Sequence, residues 1–262
     1  ESFDLHIKDL ATGVLLSDRI PNTYYGIEWS ANSQYVFYTT FDAAHRADKA
    51  WRHRLGDPAG LDAVVVHEPD DRFNVELEQA RNGRYLIFNL GSNTTSEAWF
   101  VDAAAPTAAP RLVAPRRPQR EYTVEVWEDW FLIRTNAEAS NFRIMAAPIA
   151  TPGDVHWREL VPHSPDRLIG GMAAFAGHLA LTTYEGGLAT LHILRLAPGP
   201  DGAPTVIDQH AVQFPEPVYT YRLARNAVYA TPTLTLVYMS LTTPATVYGY
   251  EMDARRFDLI KR

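Results

Sequence analysis

The residue types that can do chemistry are scattered along this chain rather than clustered. A serine hydrolase of the α/β type shows its nucleophile in Gly-x-Ser-x-Gly at a strand-to-helix elbow. That motif is absent from the 262 residues. Ser92 lies in Gly91-Ser92-Asn93-Thr94-Thr95-Ser96-Glu97, a loop between strands whose side chains bond the local backbone in Asx and Ser/Thr turns. The nine histidines, His6, His45, His53, His67, His156, His163, His178, His192 and His210, include no i, i+4 helical pair of the metallohydrolase kind. His53 shares a strand face with Trp51 and Leu55 and reads as a packed side chain. Two acidic groupings, Glu68 with Asp70-Asp71 and Glu125 with Glu128-Asp129, have the composition for acid–base work, but their settings read as turn chemistry or solvated surface. Arg116, Arg117 and Arg120 form a basic loop beside Glu121. Such a loop suits an anion or a set of interdomain salt bridges, and exposed pairs of that kind add little stability. No phosphate loop, dinucleotide fingerprint or Ca²⁺ loop is present, so no cofactor or metal is expected.

Composition bounds the remaining classes. Hydrophobic residues make up 46% of the chain and charged residues 21%, enough for a sizeable core and against disorder. The formal net charge is −7, which argues against a general affinity for nucleic acid. There is no cysteine, so disulfides and thiolate metal sites are excluded, and a cytoplasmic location is the expectation. No apolar run approaches the ~20 residues needed to cross a bilayer. The opening Glu-Ser-Phe-Asp is no signal peptide. It resembles strand interior, so the chain is expected to begin inside a domain.

The elements that position these side chains are strands. Apolar residues alternate at period two, with Gly, Pro, Asn or Asp between the runs. The runs fall into groups of four. The first complete group starts at residues 26–30, then 35–40, 50–55 and 63–67. The second takes 74–79, 84–89, 97–101 and 111–114; the third 122–126, 130–135, 142–147 and 157–161. The fourth takes 171–175, 178–183, 189–196 and 206–211, and the last 218–223, 233–239, 246–252 and 257–260. Two further strands, Phe3 to Leu10 and Val14 to Leu16, precede them across Ala11-Thr12-Gly13. Group starts recur roughly every 45–50 residues, the spacing of propeller blades. The expected fold is all-β, a β-propeller of four-stranded blades with about five and a half blades present and the ring open or incomplete. A pair of β-sandwiches is the competing architecture.

With strands lettered A to D outward from the axis, the B–C and D–A connections of a propeller share one face. Here they hold residues 41–49, 91–97, 136–141, 184–188 and 241–245, and residues 21–25, 68–73, 115–122, 162–168 and 214–218. The polar and aromatic variety of the chain gathers there, as binding loops on a rigid scaffold do. Glu97, Arg116, Arg117, Arg120 and Glu185 are the candidates on that face for contact with a partner domain.

A series of stretches in order then resembles a known family. They are Ile7-Lys8-Asp9-Leu10-Ala11-Thr12-Gly13, Trp51-Arg52-His53-Arg54-Leu55-Gly56, Gly83-Arg84-Tyr85-Leu86, Thr94-Thr95-Ser96-Glu97, and Pro115-Arg116-Arg117 with Glu121-Tyr122. Ile133-Arg134-Thr135-Asn136, Asn141-Phe142-Arg143, Pro215-Glu216-Pro217-Val218-Tyr219 and Tyr238-Met239-Ser240-Leu241-Thr242-Thr243-Pro244 follow. Together the chain resembles the propeller of oligopeptidase B, in the prolyl oligopeptidase family of serine peptidases. The stretch Thr182 to Leu188 departs from the family pattern, which puts any contact made by that loop in doubt. The resemblance implies a parent polypeptide with an α/β-hydrolase domain carrying a Ser-Asp-His triad and a seven-bladed propeller that admits only short peptides. It implies cleavage after Arg or Lys without a metal. No residue here matches the triad, so no catalytic residue is assigned. Residues 1–262 are expected to be a single partial propeller domain. The catalytic domain of the same polypeptide is its expected partner and short basic peptides the substrates of the whole. A free-standing propeller serving as a protein-interaction platform is the alternative.

Overall fold

The computed structural model describes residues 2–262. It contains strands and, among the described residues, two single 3₁₀ turns at Ala59–Leu61 and Asp154–His156. The chain divides into two compact units, ending and beginning at Glu121 and Tyr122. That boundary falls between the second and third groups of strands, so no group is cut.

The first unit holds β1 (Phe3–Lys8), β2 (Leu15–Trp29), β3 (Tyr35–Phe41), β4 (Ala47–Arg54) and β5 (Ala63–His67), hydrogen-bonded in that order as one five-stranded sheet. Its second sheet is β6 (Asn74–Gln79), β7 (Tyr85–Gly91), β8 (Ser96–Asp102) and β9 (Arg111–Ala114). The second unit holds three such antiparallel meanders. The first is β10 (Tyr122–Trp127), β11 (Trp130–Thr135), β12 (Arg143–Pro148) and β13 (Arg158–Val161). The next is β14 (Arg167–Ala174), β15 (His178–Glu185), β16 (Leu188–Pro198) and β17 (Pro204–Ala211). The last is β18 (Tyr219–Leu223), β19 (Thr233–Ser240), β20 (Thr246–Glu251) and β21 (Arg256–Lys261). The fold is thus all-β and built of the four-stranded blades of a propeller.

One expected connection is not a connection. Residues 21–25 lie inside β2, which runs unbroken from the half-blade into the first full blade. Thr23 is the hinge of this merger. It pairs with Phe3 on one side and with Thr40 on the other, and its hydroxyl donates to the Phe3 carbonyl at 3.0 Å. The strand bends there instead of ending. Between Thr23 and Ile27 the register against β3 shifts, as at a bulge, and Asn22 takes a positive φ of 57°, a conformation asparagine tolerates better than most residues.

The second strand of each of the first four complete groups is buried on both faces, whereas β19 alternates. Val36-Phe37-Tyr38, Leu86-Ile87-Phe88, Phe131-Leu132-Ile133 and Leu179-Ala180-Leu181 are all buried. A strand inside one sheet hides both faces only where another sheet stacks on each. In the first unit Phe37 and Ala50 share a core with Leu77, Leu86 and Phe88 of the next blade. In the second unit Trp127, Leu132 and Ile144 pack with Leu179, Leu181 and Leu194. On the other side of that blade, Phe175, Ile193 and Leu191 meet Leu234, Leu236 and Tyr250. Each large side chain so buried contributes about 1.5–3 kcal/mol. Outer strands are different: β21 is almost wholly exposed.

Short turns hold the register. β15 and β16 join through Gly186-Gly187, with φ of +56° and +84°, and Glu185 pairs directly with Leu188. That two-residue hairpin needs left-handed backbone, which glycine adopts without strain. The B–C connection expected over 184–188 is therefore two residues long.

Candidate functional site

The loops of the first unit are tied together by two arginines. Arg46, in the connection from β3 to β4, bonds Asp42 through Nε at 2.9 Å. Its Nη1 donates to the carbonyls of Glu68 at 3.1 Å, Asp70 at 2.8 Å and Phe73 at 2.6 Å. One guanidinium thus fixes the 68–73 loop, whose peptide carbonyls would otherwise face solvent in several conformations. Sequence reasoning missed Arg46. Only its place at a strand end beside Asp42, four residues back, hinted at it.

Arg116 does the same from the other side. Its guanidinium bonds Glu68, and donates to Glu97 Oε1 through Nη2 at 3.2 Å. The Arg116 backbone N–H donates to Glu97 Oε2 at 3.0 Å, and Trp99 Nε1 donates to Glu97 Oε1 at 2.9 Å. The guanidinium carbon sits 4.1 Å from the centre of the Phe73 ring, a cation–π distance. Glu68 also accepts the Asp70 N–H at 2.9 Å. Burial pushes the Glu97 carboxyl up, but the bonds from Arg116 and Trp99 outweigh it and hold the group below its ordinary value. Burial disfavours the Arg116 charge, and the bonds to Glu68 and Glu97 more than reverse that. Glu68 is 2% exposed. The expectation that it belongs to turn chemistry or solvated surface is therefore corrected for Glu68, whose carboxylate is a buried ion-pair partner 48 residues from its arginine. Asp70 follows the expectation, paired with exposed Arg72 at 2.6 Å.

Of the five candidates, Glu97 and Arg116 meet directly. Arg120 is buried, its guanidinium turned back on the Pro115 carbonyl. Its own carbonyl accepts the Ser96 N–H at 3.1 Å, and the Gln119 N–H donates to Thr95 Oγ1 at 3.0 Å, so the 115–120 loop is tied to the β7–β8 connection. Arg117 is exposed. A cleft of about 420 Å³ opens beside this cluster, lined by Arg72, Phe73, Thr94, Thr95 and Arg116 among others. Glu185 lies in the second unit, where it accepts from Thr183 at 2.9 Å and meets His192 Nε2 at 2.6 Å. Burial raises the Glu185 carboxyl, and these two partners bring it below its ordinary value. In the same unit Glu216 gathers the hydroxyls of Tyr238, Thr242 and Thr243. Hydroxyl bonds from Ser240, Thr242 and Tyr238 draw its carboxyl down to about 2, which fastens the 240–243 loop throughout the neutral range.

This arrangement can hold and orient the loops it ties together. Ser140 Oγ lies 3.4 Å from His163 Nε2 on the exposed surface, and no carboxylate orients that imidazole. His53 is packed, as expected, and is bonded by two carboxylates, Asp18 and Asp62, that no local pattern announces. Among the described residues no group of three or more His, Asp or Glu side chains is placed to hold a metal ion. No helix is long and apolar enough to cross a membrane.

A model of the prolyl oligopeptidase N-terminal β-propeller domain matches residues 1–262. The chain belongs to that family. It is 34% identical to Protease 2 of Moraxella lacunata over 97% of its own length and 35% of the relative's. It is 31% identical to dipeptidyl aminopeptidase BI of Pseudoxanthomonas mexicana over 94% of its length and 33% of that protein. Oligopeptidase B from Trypanosoma brucei, solved in a closed form with covalently bound antipain, superposes with a TM-score of 0.87 at 28% identity, over 94% of this chain and 35% of that one. Oligopeptidase B from Leishmania major gives 0.89 at 25% identity, over 97% and 36%. The chain therefore spans about a third of the length of these relatives.

Proposed function

We propose that residues 1–262 form one partial propeller domain that gates and docks onto the α/β-hydrolase domain of the same polypeptide, a cytoplasmic serine-type oligopeptidase acting on short peptides after Arg or Lys. One observation carries the proposal. The whole chain matches the propeller family, yet it spans only 35% of the peptidase Protease 2, leaving the greater part of such a protein to hold the chemistry. The arginine-tied loops support it further, because a face that meets a second domain must keep its shape through opening and closing.

The intact polypeptide is expected to cleave an Arg-containing chromogenic dipeptide, while residues 1–262 alone leave it uncut. It is also expected to cut short peptides and to spare a folded protein with the same exposed site. Equal rates on the two would remove the size filter. Kinship to a dipeptidyl aminopeptidase raises a second specificity. Substrates with free and blocked N-termini separate the two, since an aminopeptidase needs the free amine and an endopeptidase does not.

Docking through the candidate face is tested at Arg117, which is exposed. Arg117→Glu is expected to alter kcat and KM of the intact enzyme. Unchanged kinetics would sink Arg117 as a docking residue. Glu97, Arg116, Arg120 and Glu185 act in this scheme by shaping the loops.

A further inference from the structure

His53 is fully buried and bonded at both ring nitrogens by carboxylates. Nδ1 lies 2.7 Å from Asp62 Oδ1, and Nε2 lies 3.0 Å from Asp18 Oδ1. Ionised carboxylates only accept, so with Asp18 and Asp62 both ionised both nitrogens carry protons and the ring is an imidazolium. Asp18 also accepts the Gly56 N–H at 2.5 Å, and Asp62 Oδ2 accepts the Tyr38 hydroxyl at 2.8 Å. The parts come from different elements: Asp18 from the first half of β2, which pairs with β1; His53 from β4; Tyr38 from β3; Asp62 from the segment ahead of β5. The ring thus bridges the β1–β2 hairpin to the blade that follows it.

We propose that His53, charged between Asp18 and Asp62, is a latch that fastens the β1–β2 hairpin to the β3–β5 blade and releases it when the ring proton leaves as pH rises. Loss of that proton strips one of two buried carboxylates of its ring donor and of the opposing charge, a costly state in a buried site. The groups facing the ring are Asp18 from β2, Asp62 ahead of β5, the Gly56 N–H after β4, and Tyr38 from β3 acting through Asp62. On β4 itself Arg52 and Arg54 flank His53 and alternate to the other face, where Arg52 bonds the Pro106 carbonyl. From β1 and β2, Asp4 and Arg19 pair with each other instead.

Burial alone would lower the His53 value; the bonds to Asp18 and Asp62 overcome it and leave it raised above 6.5. A raised value gives stabilisation complete below the unfolded imidazole range and lost as pH climbs through the folded value. Burial raises the Asp18 carboxyl, and the bonds from His53 and Gly56 pull it below 3.8, so its share is present above the ordinary carboxylate range and fails only in strong acid. The latch is therefore closed between the lowered Asp18 value and the raised His53 value.

The test is hydrogen exchange read by mass spectrometry on the intact polypeptide between pH 6 and pH 10, corrected for intrinsic amide chemistry. Peptides covering 3–23 are expected to open about tenfold more per pH unit once the folded value is passed, while peptides covering β6–β9 keep their protection. Asp18→Asn keeps an oxygen for Gly56 and the ring but removes one charge, so the break moves to lower pH. His53→Gln has no ring proton and gives a flat profile. A flat profile in the unmodified protein, or a break that Asp18→Asn leaves in place, overturns the latch. Catalytic activity plays no part in the readout, so failure here is separate from failure of the peptidase assignment.

Discussion

Replacing Arg116 by Met is expected to cost about 3 kcal/mol and to lower the melting temperature by roughly 10 °C. The reason is what the change leaves behind. Glu68 and Glu97 have side chains 3% and 11% exposed, and both direct their oxygens at one guanidinium. Without it two buried carboxylates face each other across the same space. The loss has a pH signature with a definite sign. In the native protein Glu97 lies below its ordinary value, so its contribution is present above the ordinary carboxylate range and declines as pH falls through the lowered one. In the variant the repelling pair takes up a proton more readily than a free carboxyl. The gap between the two proteins therefore narrows as pH approaches the ordinary carboxylate value, about 4. Arg116→Lys should restore little, because one ammonium cannot reproduce the fork that spans Glu68 and Glu97. Adding Glu68→Gln and Glu97→Gln to Arg116→Met should recover part of the loss. Thermal melts at pH 4, 5 and 7 check all three expectations, and an unshifted melt at pH 7 contradicts them.

Trp127→Ala is expected to be costlier, about 3–5 kcal/mol. Trp127 is 2% exposed and packs with Trp130, Leu132, Ala174 and Leu179. Its Nε1 donates to the Ala176 carbonyl at 3.0 Å. The ring thus joins the β10–β11 turn to the β14–β15 turn, and its removal opens a cavity between two blades of the same unit. Trp127→Phe fills most of the volume but leaves the Ala176 carbonyl unpaired, at about 1–3 kcal/mol. The two variants separate packing from hydrogen bonding in a urea melt. Equal losses would mean that the carbonyl bond, not the ring volume, holds the turns together.

The strand groups were legible because each blade is a local meander whose turns carry their own chemistry. Asn82-Gly83, Gly186-Gly187 and Ala11-Thr12-Gly13 mark strand ends without reference to anything distant. The merger at Thr23 was not legible. Pro21-Asn22 reads as a break, and only pairing with Phe3 and Thr40, 20 and 17 residues away, carries the strand through it. The ion-pair cluster was half legible for the same reason. Arg116, Arg117 and Arg120 announce a basic loop, but which arginine turns inward depends on Glu68, 48 residues earlier. Asp18 and Asp62 look like solvated turn residues beside a packed histidine. Their burial follows from blade stacking, which places one blade's outer strand against the next blade. Function was legible only through ordered stretches such as Trp51 to Gly56.

Under the proposed function, the peptidase chemistry of the whole polypeptide lies outside residues 1–262. The most direct measurement is to react the intact polypeptide with a fluorophosphonate, which phosphonylates activated serines, and to map the adduct by mass spectrometry. The account predicts one labelled serine outside residues 1–262, with peptide cleavage lost in step with labelling. An adduct on a serine within residues 1–262 that abolishes cleavage would contradict it.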